Sequence, residues 1–212
     1  MAILRQEFYN GDTVEIARSL LGKYLVRRIG TETLVCRITE TEAYVGRCDR
    51  ACHAFGYRRT NRNAVMFGPP GHAYIYFIYG MHFCLNFVTE PEGEPSAVLL
   101  RGAEPVYGSD SMCKARFGLN SCSEMSPYQR KNFMNGPGKV CKGLHLSTQQ
   151  NTIDLTGTEL FLCDSPEDIG LLPPTIAEHE SILCGPRIGV DYAGEDKDLP
   201  WRFLLKKENR PC

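Results

Sequence analysis

The chain has 212 residues, 42% of them hydrophobic, with 24 basic and 25 acidic side chains and a formal net charge of -1. That length and apolar content suit one domain with a full core, and the balanced charge excludes binding of nucleic acid through an overall positive field. A local basic patch can still carry phosphate contacts.

The N-terminus, MAILRQEFYNGD, lacks the apolar run of a secretory signal, and no later run is long enough to be read as a membrane span. The ten cysteines therefore read as reduced thiols of a cytosolic or nuclear protein rather than as a disulfide framework. Asp12, three residues before Glu15, caps a helix expected to run to Leu21, with Gly22 as its stop. Residues 23–28 (KYLVRR) read as a short strand, and 29–33 as a turn. Residues 34–45 (LVCRITETEAYV) form the next strand. Period-2 alternation puts Leu34, Cys36, Ile38, Glu40, Glu42 and Tyr44 on one face, and its three apolar members mark that face as buried. Two carboxylates then point where an unpaired carboxylate is strongly disfavoured, unless the strand end reaches solvent or each Glu pairs with an Arg. An irregular loop over 47–63 follows, carrying Arg47, Arg50, His53, Arg58, Arg59 and Arg62. Acids in a buried face beside a basic, histidine-bearing loop make a candidate site.

Pro69-Pro70-Gly71 is a turn that launches HAYIYFIYGMHFCLNFV, a pair of β-rich strands. Gly80-Met81 suits a two-residue type II′ turn, which leaves Tyr79 at an exposed tip beside Met81 and His82. Tyr74 and Phe77 read as aromatics packed on the sheet, whereas an exposed tip tyrosine is a candidate wedge between stacked bases. Residues 97–101 (AVLLR) form a buried strand that exits at Glu104-Pro105. Ser126-Pro127 starts a helix expected to reach about Asn135. Gly136-Pro137-Gly138-Lys139 reads first as a plain turn and second as a phosphate contact at the start of a helical segment; Val140 stands where a Walker loop needs Ser or Thr. IGV at 188–190 and WRFLL at 201–205 read as strands, and DYAGEDKD as a solvated acidic turn. Cys48, Cys52 and His53 find no second ligand pair, so no metal is expected. His145 and His179 have no assigned role, and no nucleophile elbow or protease-like Cys–His pair is present. With no linker, repeat or low-complexity segment, residues 1–212 read as a single domain.

Taken in order, ETEAYVG, HAFGYRRTNRN, MFGPPGHAYIYFIYGMHFCLN, AVLLRGAEP, GPGKVC and RIGV resemble the alkyladenine (3-methyladenine) DNA glycosylases of the human type. The resemblance spans residues 16–205 and implies an α+β fold: a single mixed domain with a curved antiparallel sheet, flanking helices and a protruding β-hairpin. It implies a repair enzyme that flips 3-methyladenine, 7-methylguanine, hypoxanthine or ethenoadenine out of duplex DNA and hydrolyses the glycosidic bond. No cofactor or metal is implied, and an abasic site is left without strand cleavage, since no lysine falls in ETEAYVG, the matched motif that carries Glu42. Carried over by position, Glu42 is the water-activating glutamate, with Arg101 near it. Tyr44, His53, Tyr76 and Asn86 form the base pocket, Asn86 by crowding the 2-amino group of guanine. Tyr79 intercalates, with Met81 beside it. Arg58, Arg59 and Arg62 of the basic loop, with Gly138 and Lys139, are expected on the DNA backbone. A monomer acting in a nucleus or bacterial nucleoid is expected. His82 departs from the human type, which has Tyr there, and no long basic N-terminal extension is present. A two-residue turn would also put Asn86 on the Tyr79 face, away from Tyr76, so a bulge or strong twist is expected between them.

Two other classes fit parts of this pattern. Glu40 and Glu42, roughly 6.6 Å apart along a strand, would suit a carbohydrate hydrolase, although the basic loop argues against a neutral polymer. A lesion-sensing module would bind damaged duplex without releasing a base.

Overall fold

The computed structural model describes residues 3–174 and 180–207; His179 lies outside them. Two short helices, α1 (Gln6–Tyr9) and α2 (Thr13–Ser19), open the fold. Asp12 caps α2 by accepting the Glu15 N–H at 2.9 Å, and Gly22 leaves the helix at φ +84°. Then come β1 (Tyr24–Ile29), β2 (Glu32–Tyr44), β3 (Ala73–Ile78), β4 (His82–Thr89) and β5 (Ser96–Tyr107). Helices α3 (Ser109–Phe117), α4 (Pro127–Lys131) and α5 (Pro137–Gly143) precede β6 (Leu160–Cys163), β7 (Glu180–Gly185) and β8 (Arg202–Lys207). The sheet is antiparallel throughout and ordered β3-β4-β5-β2-β1-β6; β8 joins it through β2 at Glu40–Glu42, and β7 pairs with β8. Among the described residues no helix is long and apolar enough to cross a membrane, and every cysteine is a free thiol. The result is a single α+β domain built on a curved antiparallel sheet.

One face of the sheet holds the main core, where Leu34, Cys36, Ile38, Leu85, Phe87, Val98 and Leu100 pack under Ile16 and Ala17 of α2, Met112 of α3 and Val140 of α5. Each such side chain contributes on the order of 1.5–3 kcal/mol by leaving water. The opposite face carries Tyr74, Val88 and Ala97, covered by Cys52, Ala54 and Met66 of the irregular loop.

Simple alternation along β2 fails, and the failure builds the site. Leu34, Cys36 and Ile38 face the main core, but so does Ala43, and the Thr41 hydroxyl donates to Ala17 O at 2.7 Å on that same side. The β2–β5 register is irregular on both sides of Glu40, and β5 changes parity at the same place, with Leu100 and Ala103 both in the core. A bulge thus turns Glu40, Glu42 and Tyr44 to the face opposite Leu34, Cys36 and Ile38. Gly102 permits this, since a Cβ there would meet the Glu40 Cβ at 3.0 Å.

The hairpin differs from the expected two-residue turn. Ile78 pairs with His82, so Tyr79-Gly80-Met81 is a three-residue loop, closed by the Met81 N–H on Ile78 O at 3.3 Å. The odd loop length places Tyr74, Tyr76 and Asn86 on one face without any bulge: Tyr74 is the cross-strand partner of Asn86, and Tyr76 that of Cys84. Phe77 falls on the other side and is exposed, touching Phe83 with centroids 5.0 Å apart. Other departures are smaller. β5 continues through Pro105 to Tyr107, and α4 ends at Lys131, short of Asn135. Residues 188–190 form a loop rather than a strand, because Ile188 spends its N–H on a side chain. α3, β6 and β7 carry no strong periodic signal, and the sequence reading does not anticipate them.

Candidate active site

On the face opposite the core a cavity of about 520 Å³ opens between β2–β5, the irregular loop, residues 188–192 and the start of α5. That volume is ordinary for a small-molecule site. Tyr44, His53, Tyr76, Asn86 and Arg101 line it, together with Tyr79, Gly138 and Lys139 at the rim. Glu42 lies directly behind this wall, fully buried. Its Oε1 accepts the Ile188 N–H at 2.7 Å and its Oε2 the Tyr44 hydroxyl at 2.8 Å. Arg101 stands further off, 3.4 Å from Oε1 through Nε and 3.5 Å from Oε2 through Nη1. Arg101 Nε is closer to Glu40 Oε1, at 3.2 Å, and that oxygen also accepts Arg202 Nε at 2.5 Å.

Burial pushes the Glu42 carboxyl above its ordinary range. Arg101, the Ile188 N–H and the Tyr44 hydroxyl oppose that rise without cancelling it, and Glu40 adds to it. The outcome is a carboxylate held by three donors yet more basic than usual. Burial likewise raises the Tyr44 phenol, so it stays protonated and acts as a donor.

The aromatic wall is mutually braced. The His53 and Tyr76 rings meet edge-on with centroids 4.7 Å apart, and those of Tyr74 and Tyr76 are 5.2 Å apart. His53 Nδ1 pairs with the Tyr74 hydroxyl at 2.9 Å. Burial first and Arg62 second push the His53 imidazole down to about 4, so it is neutral at physiological pH. Its residue is nonetheless open to solvent. Asn86 is buried and donates Nδ2 to Tyr74 O at 3.0 Å.

The remaining candidates lie around the mouth. Tyr79 is 80% exposed and Met81 69% exposed at the hairpin tip. Tyr79 adopts φ +54°, a left-handed conformation uncommon for a non-glycine residue and often found at functional positions. Arg58 and Arg59 are exposed on the loop, the latter with its guanidinium 5.4 Å from the Phe67 ring centre. Arg62 is exposed as well, with its guanidinium 4.8 Å from the Tyr76 ring centre. Lys139 Nζ donates to Asn132 Oδ1 at 3.0 Å and Asn135 Oδ1 at 2.7 Å. Gly138 packs on His82, whose Cβ a side chain at 138 would meet at 2.9 Å. Among the described residues no three His, Cys, Asp or Glu side chains are arranged to hold a metal ion. Cys48 turns to Val45 O and Cys52 to Pro95 O.

Sequence reasoning missed the supports of Glu42. The Ile188 N–H, the Arg202–Glu40 pair and the buried Asp49–Arg187 pair join positions 146, 162 and 138 residues apart. No local pattern announces contacts at that range. The only signal was an arginine, Arg187, standing at the head of the apolar RIGV run.

Residues 7–209 match the family model described as methylpurine-DNA glycosylase. The chain belongs to that family. A protein of Desulfitobacterium hafniense (strain Y51) is 44% identical over 206 residues, covering 97% of this chain and 96% of its own length. One of Methanocella arvoryzae is 45% identical over 215 residues, covering 100% and 96%. One of Clostridium perfringens (strain SM101 / Type A) is 43% identical over 204 residues, covering 96% and 95%. All three are provisionally named 3-methyladenine DNA glycosylases. As a methylpurine-DNA glycosylase the chain is a hydrolase of N-glycosyl bonds that works on DNA in repair.

Proposed function

We propose that this glycosylase rotates damaged purines (3-methyladenine, 7-methylguanine, hypoxanthine and ethenoadenine) out of duplex DNA and hydrolyses their bond to C1′ with a water activated by Glu42. The observation that carries the reading is one buried, basic-shifted carboxylate behind an aromatic cavity whose rim bears an exposed tyrosine on a hairpin tip.

The target atom is inaccessible in a stacked duplex, so the nucleotide must leave the helix. Tyr79 enters the gap and restacks it, with Met81 beside it, which offsets part of the unstacking. The extruded base stacks against Tyr44, Tyr76 and His53, at roughly 1–3 kcal/mol per base. Asn86 crowds a 2-amino group. The bond from C1′ to the purine nitrogen breaks, and its electron pair leaves with the base. Water adds its oxygen to C1′ while Glu42 takes its proton; the carboxylate also faces the positive charge that develops on the sugar. The long Arg101 contacts make that side of Glu42 the natural berth for the water. A cationic alkylpurine departs as a neutral base, whereas a neutral lesion needs a hydrogen-bond or proton donor.

Lys139 reaches the cavity rim with its amine bonded to Asn132 and Asn135, and the enzyme is read as monofunctional because no lysine stands in the segment around Glu42. Phosphate contacts are assigned to Arg58, Arg59, Arg62 and the Gly138–Lys139 turn, and a single chain suffices for the whole reaction. Glu40 is held between Arg101 and Arg202, so it does not serve as the acid of a two-carboxylate sugar hydrolase.

The test is incubation with methylated and hypoxanthine-containing duplexes, followed by detection of free base. Release by the wild-type chain and none by Glu42→Gln is expected. Binding of damaged duplex without any release would make this chain a lesion sensor.

A further inference from the structure

We infer that the buried Asp49–Arg187 pair is a positioning device for Glu42, fixing from outside the cavity both the Ile188 N–H and the Tyr44 side chain that hold the carboxylate. The inference rests on Glu42 acting as the base in the function proposed above.

Among the described residues this is the one ion pair with both side chains fully buried. Such a pair is a weak source of stability, because well-packed apolar groups often serve as well. What it does supply is fixed geometry. Arg187 Nη1 and Nη2 fork onto Asp49 Oδ2 at 2.5 Å and Oδ1 at 2.8 Å. The other two Nη hydrogens reach Ala43 O at 2.9 Å and Asp196 O at 3.1 Å, while the buried Nε–H has no hydrogen-bond partner among the described residues. The guanidinium lies 4.9 Å from the Tyr44 ring centre and 5.1 Å from that of Trp201. Asp49 is itself pinned by the Val45 N–H at 3.2 Å and the Ala51 N–H at 2.9 Å.

These contacts converge on the neighbours of Glu42. Ala43 separates Glu42 from Tyr44, and Ile188 follows Arg187 directly. One guanidinium therefore sets the distance between the strand that carries the carboxylate and the loop that donates to it. Arginine suits this role because a planar fork constrains orientation, which a lysine ammonium does not.

The groups that tune Glu42 are Arg101 of β5, Glu40 and Tyr44 of β2, the Ile188 N–H, Arg202 of β8 through Glu40, and the nearby charge of Arg187 itself. Arg101, Glu40 and Arg202 are not held by Arg187 and stay in place when its fork is lost, and a lysine there keeps the positive charge. Loosening of the Ile188 N–H and the Tyr44 hydroxyl then leaves a recognisable trace: Glu42 becomes harder to ionise while His53, Tyr76 and Asn86 of the cavity wall stay in place.

The experiment uses Arg187→Lys, which keeps a positive charge opposite Asp49 but removes the fork and the flat stacking. Single-turnover excision from a hypoxanthine-containing duplex is followed across pH, beside the melting temperature and the dissociation constant. The acid limb of the rate profile is expected to move to higher pH. The plateau is expected to fall about 10- to 100-fold, the worth of one hydrogen bond to a charged group. Binding is expected to stay within about threefold. Asp49→Asn with Arg187→Gln removes both charges together, strands no ion, and is judged by the same criteria if the lysine variant does not fold. A folded variant with the wild-type plateau and acid limb, and only a lower melting temperature, overturns the inference. A wild-type chain that releases no base overturns the proposed function instead, so the two failures are told apart.

Discussion

Tyr44 donates its hydroxyl to Glu42 Oε2 at 2.8 Å, across only two residues of β2. Neighbours at that spacing share a face, so the bond follows directly from the bulge that turned this end of the strand toward the cavity. It makes one residue serve as both cavity wall and carboxylate donor. Tyr44→Phe is therefore expected to keep damaged-duplex binding within about threefold, since the ring remains. It should slow excision roughly tenfold or more, since a donor to the base is lost. Paired binding and single-turnover measurements check both halves.

Glu42→Gln should abolish base release and leave binding within about tenfold, or ~1.4 kcal/mol. A second effect concerns stability. The folded pKa of Glu42 lies above its ordinary value near 4.5. Its contribution to stability is thus fully present below that value and is lost as pH rises through the raised one. Glutamine escapes the loss. The variant should melt higher than wild type at pH 8, with the gain fading as pH falls toward 4. Melting curves at the two pH values test it.

His53, depressed to about 4, should remain neutral across the physiological range. An NMR titration of its ring is expected to stay flat between about pH 8 and pH 5.5, where an unperturbed imidazole would titrate. Charging it costs stability progressively as pH falls from 6.5 toward 4. No rate limb near 6.5 should survive only in the wild type and vanish in His53→Gln.

Asn86→Ser should admit guanine, because rejection of its 2-amino group needs bulk at that point in the cavity. Measurable guanine release from undamaged or mispaired duplex is the expected result. Background release alongside normal lesion excision would assign discrimination to another residue.

Arg58→Ala with Arg59→Ala should weaken damaged and undamaged duplex alike and flatten the plot of log K against log[salt] by up to about two units, since each phosphate contact adds slightly less than one. Arg62→Ala should flatten it by up to about one unit and also disturb the cavity wall, because its exposed guanidinium lies 4.8 Å from the Tyr76 ring centre. Titrations at several salt concentrations separate the three arginines.

Tyr79→Ser should leave the melting temperature unchanged, given that the side chain is 80% exposed. The population of flipped nucleotide should fall by roughly 1–3 kcal/mol of lost stacking. A fluorescent-lesion assay and a melting curve on the same variant decide between a wedge and a packed side chain.

The local parts of this molecule were readable from the chain. Asp12 as a cap, the Tyr79 tip and the β-rich runs each follow from interactions within a few residues. The curved α+β domain and the six residues around the cavity and Glu42 followed from long matched segments rather than from periodicity. Alternation along β2 misled, because a bulge is set by the approach of Gly102 and Glu40 from two different strands. The hairpin misled by one residue, since Tyr79 takes up a left-handed conformation that single-sequence reasoning assigns to glycine. Arg187, Ile188 and Arg202 were invisible as supports because their partners lie more than a hundred residues upstream.

The junction of β8 with β2 at Glu40–Glu42 has a consequence for when activity can begin. The reactive carboxylate is synthesised early, but its N–H donor, its buried arginine and the arginine that holds Glu40 all come from the last stretch of the chain. A nascent chain, or one clipped before residue 186, keeps Glu42 and the sheet side of the cavity but lacks Ile188, Gly189, Val190 and Tyr192 of its wall. On the function proposed above, base release is expected only once that last stretch has been made and folded onto β2, and to be lost when it is removed.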